Sequence, residues 1–354
     1  MQTELLDLLR CPVSKNKLEI ISISMFIKTY DSGPVEEVKE GLLISPEGFM
    51  FPVIDGIPRM LVEAVYDYAD FLESNMKDYQ QAREKLEEKH ALLLEQCRKK
   101  NERTKKSFAF EWKFLDPEKN DSLWHQDISS LERVIEHETG KNISYFKDKK
   151  VIDIGSAHGL MSRALGKTGA EVVGVELSRA VEVAYQKNKS TRLHFLQGDL
   201  QFLPFSEETF DYLYSSGVIH HTNNTELSLS LISRVLKNTG EICLWLYHPQ
   251  KSVGHALISS ARKILCRLPV KISFLIIAVF IFPMTYTVKK IKNKKPLNFR
   301  EELVDLLDAL TPPFRHETTE DTAKTWLTGL GFNDTRITTE NLYGFSITGT
   351  RKPE

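Results

Sequence analysis

The feature that most limits the fold is an alternation of short apolar runs and helix-like segments between residues 107 and 247. Helix-like segments follow the first, second and fourth of five apolar runs, which are residues 151–154, 171–175, 193–196, 212–215 and 241–246. Strands joined by crossing helices lie parallel in one sheet, and the helices cover both of its faces. The sequence therefore predicts an α/β fold with helices on both faces of a parallel sheet.

The composition is that of an ordinary globular protein. Of 354 residues, 41% are hydrophobic and 27% are charged, which excludes wholesale disorder and a coiled-coil rod. The formal net charge of −1 gives no indication of a nucleic-acid partner. The first residues, MQTELLDLLRCPV, carry acids and lack a long apolar core, so we expect no secretory signal. No CxxC pair occurs among the four cysteines, which excludes a disulfide scaffold and fits a reducing cytoplasm.

A ligand-binding loop is predicted after the first strand. Gly155 lets the backbone approach a ligand, Gly159 allows close helix packing, and Glu176 at the end of the second strand can accept both hydroxyls of a ribose. The dinucleotide spacing GxGxxG is absent because Ala157 and Leu160 occupy two of its glycine positions, and no GxxxxGK[ST] motif occurs. The loop therefore favours a ribose-bearing cofactor without a pyrophosphate.

Five segments in a fixed order resemble the motifs of one enzyme family. They are VIDIGSAHGLMSRALGKTGAEVVGVELS at 151–178, QGDL at 197–200, LPFSEETFD at 203–211, GVIHHT at 217–222 and LKNTGE at 236–241. The set is similar to class I S-adenosylmethionine-dependent methyltransferases of type 11, and especially to the ubiquinone/menaquinone methyltransferase branch. The resemblance implies a Rossmann-like class I methyltransferase sheet, S-adenosyl-L-methionine as the cofactor and methyl transfer as the reaction.

The resemblance also implies roles for individual residues. Ala157 departs from the glycine usual in the family, and its small methyl group should still permit binding. An upstream segment, residues 107–112, resembles a cofactor-covering segment of related enzymes. The predicted cofactor-binding residues are Asp153, Gly155 and Gly159 on the methionine side, Glu176 at the ribose, Asp199 and Leu200 at the adenine, and Ser216 and Gly217 beside the transferable methyl group, with Ser156 and Leu177 completing the set.

Two pairs of residues are candidates for contact with the methyl acceptor. His220 and His221 follow the fourth strand, and either could act as the catalytic base that a protonated acceptor such as a hydroxyl needs. The alternative is that they bind backbone groups and shape their loop. Arg315 and His316 lie in a stretch that resembles a substrate-facing loop of family members, and the alternative there is a surface turn.

The predicted methyltransferase domain covers residues 107–354. The chain before it divides into two pieces. Residues 1–62 predict a small α+β module that resembles a zinc-ribbon-like methyltransferase-activator domain known from translation and tRNA methyltransferase partners. Of the paired metal-binding positions only Cys11 remains, since Ser14, Ile44 and Glu47 stand at or near the others, so we predict no metal. Residues 63–106 predict a charged helical linker.

A basic and apolar insert is predicted at about 255–300. An uncharged stretch, 272–288, runs through its centre. It could form a lid over the acceptor pocket, lie on an anionic membrane surface, or span a bilayer, and the first two can coexist for a lipid acceptor. Between residues 261 and 300 there is no acid and there are ten basic residues: Arg262, Lys263, Arg267, Lys271, Lys289, Lys290, Lys292, Lys294, Lys295 and Arg300.

These patterns together predict S-adenosylmethionine-dependent methyl transfer to a small-molecule or lipid-linked acceptor. We expect a cytoplasmic protein that binds no nucleic acid, and residues 261–300 are the candidate for a peripheral membrane contact, with a lid as the other interpretation. One alternative is a non-catalytic scaffold with the methyltransferase fold, indicated by Ala157 and the lost metal ligands. Another is a tRNA or protein methyltransferase, indicated by the N-terminal resemblance. Against it, residues 215–218 lack the Asn/Asp-Pro-Pro-Tyr-type motif of amino-methylating members.

Overall fold

One mixed sheet organises the chain, which this computed structural model describes for residues 1–114, 128–292 and 299–352. Within those ranges the sheet has eleven strands in the spatial order β1-β2-β3-β4-β7-β6-β5-β8-β9-β11-β10. The strands are β1 (Glu19–Tyr30), β2 (Gly33–Ile44), β3 (Met50–Ile54), β4 (Ile57–Met60), β5 (Lys150–Ile154), β6 (Glu171–Glu176), β7 (Leu193–Gly198), β8 (Phe210–Ser216), β9 (Leu236–Tyr247), β10 (Phe332–Glu340) and β11 (Gly344–Arg351).

Helices cover both faces of this sheet, which confirms the predicted α/β architecture. A π-helical segment (Ile277–Ile281) joins two of them. The helices are α1 (Glu4–Leu8), α2 (Ala64–Asp67), α3 (Ala69–Asn75), α4 (Tyr79–Phe114), α5 (Ile128–Thr139), α6 (Leu160–Lys167), α7 (Val181–Gln186), α8 (Thr225–Ser233), α9 (Val253–Leu265), α10 (Val270–Ile276), α11 (Phe282–Lys292), α12 (Phe299–Leu310) and α13 (Glu320–Gly329).

The two faces follow from the period-two alternation of side chains along each strand. Val151 and Tyr212 pack on one face against α5, α6 and α7. Ile152 and Leu213 pack on the opposite face, where α4, α8 and α13 contribute buried residues. Because β5 to β9 are apolar on both faces, they fit the centre of a parallel sheet.

The order of the parallel strands places the predicted loop at a binding position. The chain proceeds from β5 to β6 and β7 on one side, and then returns to β8 and β9 on the other. Open α/β sheets bind ligands outside the carboxyl ends of the strands where the order reverses, which here lies between β5 and β8. The loop 155–159 follows β5 and the segment 217–222 follows β8, so both lie at this point.

The N-terminal residues extend this sheet. Asp55 and Gly56, both with positive φ, form the tight turn between β3 and β4 that their sequence predicts. Strand β4 then pairs in parallel with β7, and the buried Arg59 donates to Glu182 at 3.0 Å. The predicted module therefore shares the central sheet, while its boundary at residue 62 stays a prediction.

The charged segment before the methyltransferase domain packs against it. Helix α4 continues past the predicted boundary at residue 106 and ends at Phe114. Leu86 and Leu94 are buried on its inner face, and so are the polar residues Asn101 and Thr104 further along. The sequence predicted a solvent-exposed linking helix because a buried polar side chain leaves no trace in a hydrophobic pattern.

The predicted insert forms a helical layer with its own small core. Residues from α9, α12 and the π-helical segment meet there, including Leu265, Ile277 and Leu307. Among the described residues, Val270–Ile291 is the one helix that could cross a membrane, by length and composition only. Lys294 and Lys295, two of the basic residues noted above, lie outside the described residues.

Candidate active site

A cavity of about 800 Å³ opens at the carboxyl ends of β5 and β8. Its loop side consists of lining residues from 153–161, 175–177, 198–201 and 214–218. Its lid side consists of lining residues from α4, α9, α11 and α12 together with 221–223, 245–250, 314–315 and 341–343. The volume lies within the usual range for small-molecule sites.

The structure brings nine of the ten predicted cofactor residues to this cavity. The exception is Gly159, which is not among the lining residues, so its contact with the cofactor stays a prediction. A Cβ atom there would lie 2.7 Å from Phe195 and 2.8 Å from Ala184, so this glycine serves the packing of α6 on the sheet. The nine residues that line the cavity are Asp153, Gly155, Ser156, Glu176, Leu177, Asp199, Leu200, Ser216 and Gly217.

The loop after β5 is held in a conformation that favours small residues. Gly155 has φ +76, and a Cβ atom there would lie 2.3 Å from Val218 in the segment after β8. Ala157 has φ 48, also in the left-handed region. That conformation costs an alanine about 1–2 kcal/mol, which gives a physical reason for glycine at this position in the resembling family.

Glu176 links this loop to the end of β6. Its Oε1 accepts from the backbone N–H of Ser178 at 2.8 Å, and its Oε2 accepts from that of Ala157 at 3.1 Å. Burial raises the pKa of Glu176, and these hydrogen bonds oppose the increase. Each carboxylate oxygen has two acceptor positions, so both could still accept a ribose hydroxyl.

Asp153 places a second buried carboxyl group in the loop side. Burial raises its pKa to about 7, the nearby Glu176 charge adds to the increase, and the hydroxyl of Ser162, which donates to Asp153, opposes it. The native protein therefore holds this carboxyl only partly ionised near neutral pH. A positively charged ligand group would favour the ionised form.

Asp199 is bound by residues that the sequence did not indicate. Lys100 Nζ lies 2.6 Å and Asn101 Nδ2 lies 3.0 Å from its Oδ2, while the backbone N–H of Gln201 donates to Oδ1 at 2.9 Å. Lys100 and Asn101 belong to α4, and both line the cavity. Helix α4 thus closes the loop side over the predicted adenine position.

His221 is the predicted base that reaches the cavity. Its Nδ1 lies 2.9 Å from the carbonyl oxygen of Phe314, which can only accept a hydrogen bond, so Nδ1 donates. Its Nε2 lies 3.3 Å from Asp308 Oδ1. Because Nδ1 acts as a donor, Nε2 is the nitrogen that could take a proton from an acceptor, and the Asp308 carboxylate lies beside it.

Asp308 is a central charge of the lid side. Its second carboxylate oxygen accepts from the Tyr247 hydroxyl. Burial alone would raise its pKa, but the charge and hydrogen bond of His221, together with the Tyr247 hydrogen bond, hold that pKa well below its usual range. The aspartate therefore remains ionised and fixes both neighbouring rings.

His220 does not line the cavity, which argues against its predicted role as a base. It is fully buried, with its ring centroid 4.2 Å from that of Tyr247 and 4.5 Å from that of His221. Burial lowers its pKa well below the usual range, and the charge of His221 adds to that effect. The two histidines occupy one 3₁₀ turn, Ile219–His221, and the sequence alone did not indicate which of them reaches the cavity.

The predicted acceptor-contacting pair is divided in the same way. Arg315 lines the cavity, with its guanidinium carbon 4.2 Å from the Tyr247 ring centroid and its Nη1 2.6 Å from Glu317. His316 does not line the cavity. Its Nε2 contacts the carbonyl oxygen of Thr222 at 3.0 Å, and its backbone N–H donates to the carbonyl oxygen of His220. His316 therefore joins two loops and does not face the acceptor position.

Glu111 is a lid-side residue for which the sequence carries no signal. It lies near the end of α4, is only 4% exposed and lines the cavity. Burial raises its pKa well above the usual range, and the nearby Asp308, Asp305 and Glu176 charges add to the increase. The side chain of Trp112, in the resembling segment 107–112, lies outside the described residues.

No metal ligands are evident in the parts of the chain that the structure describes, where no group of three His, Cys, Asp or Glu residues could hold an ion. Ser14, where the resembling domain would have a metal ligand, donates its hydroxyl hydrogen to Glu47 at 2.8 Å. The absence of a structural metal remains a prediction.

Comparison with known proteins identifies the type of domain to which this cavity belongs. Residues 152–244 match a family model described as a methyltransferase domain. The chain contains a class I S-adenosylmethionine-dependent methyltransferase domain. The matched residues include most of β5, all of β6 to β8 and most of β9, and therefore much of the loop side of the cavity.

Curated relatives share only this part. Sterol 24-C-methyltransferase ERG6B of Gibberella zeae is 35% identical over 120 residues, covering 31% of this chain and 32% of that protein. The mitochondrial ubiquinone biosynthesis O-methyltransferase of Rattus norvegicus is 32% identical, covering 30% of this chain and 32% of that protein. The chain thus spans about a third of the length of these relatives.

Solved structures with similar folds are more distant in sequence. Magnesium protoporphyrin IX methyltransferase of Synechocystis PCC 6803 with bound SAH is 16% identical, with a TM-score of 0.41 and coverage of 70% of this chain and 98% of that one. A complex of the Haloferax volcanii Trm112 methyltransferase activator with a methyltransferase is 14% identical, with a TM-score of 0.41 and coverage of 69% and 97%.

Proposed function

We propose that this protein transfers the methyl group of S-adenosylmethionine to a lipophilic small-molecule or lipid-linked acceptor. The observation that carries the proposal is a single cavity in which nine of the ten predicted cofactor residues face an opposite wall that is rich in aromatic and aliphatic side chains. These wall residues include Phe108, Trp245, Tyr247, Ile258, Val304, Leu306, Ala309, Phe314 and Tyr343.

The loop side suits the cofactor. Glu176 would hold the ribose, Asp199 the adenine and Asp153 the positively charged methionine portion. The cofactor supplies an already activated methyl group, so the protein must mainly align the acceptor and exclude water. Helix α4 and the lid helices cover the cavity from the other side and could provide that exclusion.

A base is needed only if the acceptor atom carries a proton. Of the predicted pair, we keep His221 as the candidate, with Asp308 beside the nitrogen that would receive the proton. Glu111 is a second candidate because its buried carboxyl group lines the same cavity and has a raised pKa. Substitution of each by glutamine would lower kcat by about 100-fold or more for the true base, while leaving cofactor affinity within about threefold.

Three finer predictions belong to this proposal. The relation to sterol and ubiquinone methyltransferases supports a hydrophobic acceptor, and we keep the ubiquinone/menaquinone branch as our assignment. We also keep an activator-like origin for residues 1–62, whose strands extend the sheet as a separate activator subunit could. Finally, we propose a cytoplasmic location with a peripheral membrane contact through residues 261–300.

Calorimetric titration with S-adenosylmethionine, followed by transfer of a radiolabelled methyl group to cell extracts, tests the proposal. We expect micromolar binding and label in the organic-solvent fraction, both lost in Glu176→Ala. Absence of binding to well-folded protein would contradict an enzyme and favour the scaffold alternative. Label recovered in RNA or protein would instead favour the tRNA or protein methyltransferase alternative.

A further inference from the structure

The helix formed by α10, the π-helical segment and α11 has its apolar face on the outside. Seven large apolar residues on it are between 45% and 80% exposed. Most are spaced three or four positions apart, which places them along one side of the helix. They are Ile272, Leu275, Val279, Phe280, Met284, Val288 and Ile291, and they define the outer face.

The opposite side of this helix is fixed to the body of the protein. Ile277 and Phe282 are buried in the same cluster as Leu303 of α12. Thr285 and Lys289 line the cavity, and Lys289 pairs with Glu302. A helix that crosses a bilayer alone is apolar all round, whereas this one has polar residues on its inner side. The geometry therefore favours a helix that lies on a membrane over one that spans it.

The charges around the outer face indicate what covers it. Between residues 253 and 292 there is no acidic residue, and Lys263, Arg267, Lys271 and Lys290 are exposed. Apolar residues bordered by lysine and arginine are typical of segments that lie in the interface of an anionic bilayer. A symmetric pair of this chain would bring the same basic residues together, so a second copy fits the charges less well.

We propose that the outer face docks in the plane of an anionic membrane, while the inner side of the same helix lines the methyl-transfer cavity and receives a lipophilic acceptor directly from the bilayer. The docking stands on the exposed residues and charges alone. The delivery of the acceptor rests on the proposed function. Membrane contact and acceptor entry thus occur on two sides of one helix.

Sedimentation with lipid vesicles tests the docking. We expect the protein to sediment with vesicles of equal parts phosphatidylcholine and phosphatidylglycerol, and about tenfold less with phosphatidylcholine alone. Added salt should weaken the binding because it screens the basic residues. The double variant Phe280→Glu/Met284→Glu should lose at least about tenfold in vesicle affinity. Leu92→Glu, at an 80% exposed leucine of α4, is the matched control and should bind as the parent does.

The depth of docking can be measured separately. In Phe280→Trp, lipids brominated near the headgroup end of the acyl chain should quench the added fluorescence more than lipids brominated near the chain terminus. Stronger quenching at the chain terminus would contradict docking in the plane of the membrane.

Other outcomes would overturn the docking proposal. Absence of sedimentation, or equal loss in the Leu92→Glu control, would do so. A concentration-dependent dimer that Phe280→Glu/Met284→Glu abolishes would assign the outer face to a second copy of the chain. Cofactor titration of the parent protein keeps the two proposals apart: failure of the parent to bind S-adenosylmethionine contradicts the proposed function, whereas failure of the parent to bind vesicles with normal cofactor affinity contradicts only the docking.

Discussion

The loop side and the lid side of the cavity are built in different ways. The loop side uses residues at the ends of neighbouring parallel strands, and backbone N–H groups hold its key carboxylate, Glu176. The lid side brings side chains together from distant parts of the chain, such as His221, Tyr247 and Asp308. The loop side therefore depends on backbone geometry, whereas the lid side depends on how side chains from distant segments pack together.

The largest loss of stability from a single substitution should come from the lid side. Replacing Asp308 with alanine leaves His221 and the Tyr247 hydroxyl without their shared acceptor. A buried polar group left without its hydrogen-bond partner costs about 1–3 kcal/mol, and we expect a loss of about 3 kcal/mol because Tyr247 and His221 are both affected. Urea unfolding at neutral pH measures this. Asp321→Ala, at an exposed aspartate of α13, is the control, and an equal loss in both variants would show that the lid-side pair has no special role.

Glu176 tests whether the loop side acts through its carboxylate. Glu176→Gln keeps the shape but weakens hydrogen bonds with a charged acceptor, each worth about 1.5–3 kcal/mol, so S-adenosylmethionine affinity should fall about 100-fold. Glu171→Gln, at the other end of β6, changes a carboxylate that pairs only loosely with Lys150 at 3.7 Å. Calorimetry should show unchanged affinity there, and similar losses in both variants would place the ribose elsewhere.

The stability contributed by the loop side should depend on pH through Asp153. The native pKa of Asp153 is about 7, against an ordinary value of 3.8, so the native state retains a proton that the unfolded chain has lost. Stability therefore falls as pH rises from about 4 to about 7, by at most about 4 kcal/mol. Asp153→Asn should remove this loss, so the variant should gain stability relative to the parent across that interval.

Cofactor binding should show the opposite trend at the same residue. Because a positive ligand favours ionised Asp153, S-adenosylmethionine affinity should rise about tenfold between pH 6 and pH 8. The rise should disappear in Asp153→Asn. A parent affinity that stays flat over this range would contradict a contact between Asp153 and the charged part of the cofactor.

The sequence predicted the loop side well because its signals are local. A strand, a glycine and an acidic residue at the end of the next strand all lie within residues 151–176. Because these two strands pair side by side, the glycine and the acidic residue come together at the same edge of the sheet. Gly159 was assigned to the cofactor although it packs against Phe195, since a glycine required by packing has the same signature as one required by a ligand.

The sequence could not predict most of the lid side. Lys100 and Glu111 look like surface residues of a charged helix, and nothing in α12 distinguishes Asp308 from its acidic neighbours. Their positions depend on how α4 and α12 pack over the sheet, which is decided by contacts between residues far apart in the chain. For the same reason the motif alone could not separate His221 from His220.

Lys100 tests whether α4 belongs to the cofactor site. Lys100→Met removes the ammonium group 2.6 Å from Asp199 and keeps most of the apolar stem, so we expect cofactor affinity to fall about fivefold, in the range of a partly buried ion pair. Lys106→Met, which removes an exposed pair with Glu102 on the same helix, is the control. Equal cofactor affinity in the parent, Lys100→Met and Lys106→Met would show that α4 has only a structural role.

The smallest effect should come from Ala157, the departure from the family pattern. Ala157→Gly relieves the positive φ but makes the unfolded chain more flexible, and these contributions of about 1 kcal/mol each nearly cancel. We expect stability to change by less than about 1 kcal/mol and cofactor affinity by less than about threefold, because the N–H that donates to Glu176 is present in both residues. Thermal unfolding and calorimetry measure the two quantities. A tenfold gain in affinity would show that the alanine methyl group weakens cofactor binding by the loop side. The cavity as a whole would then be better adapted to its acceptor than to its cofactor.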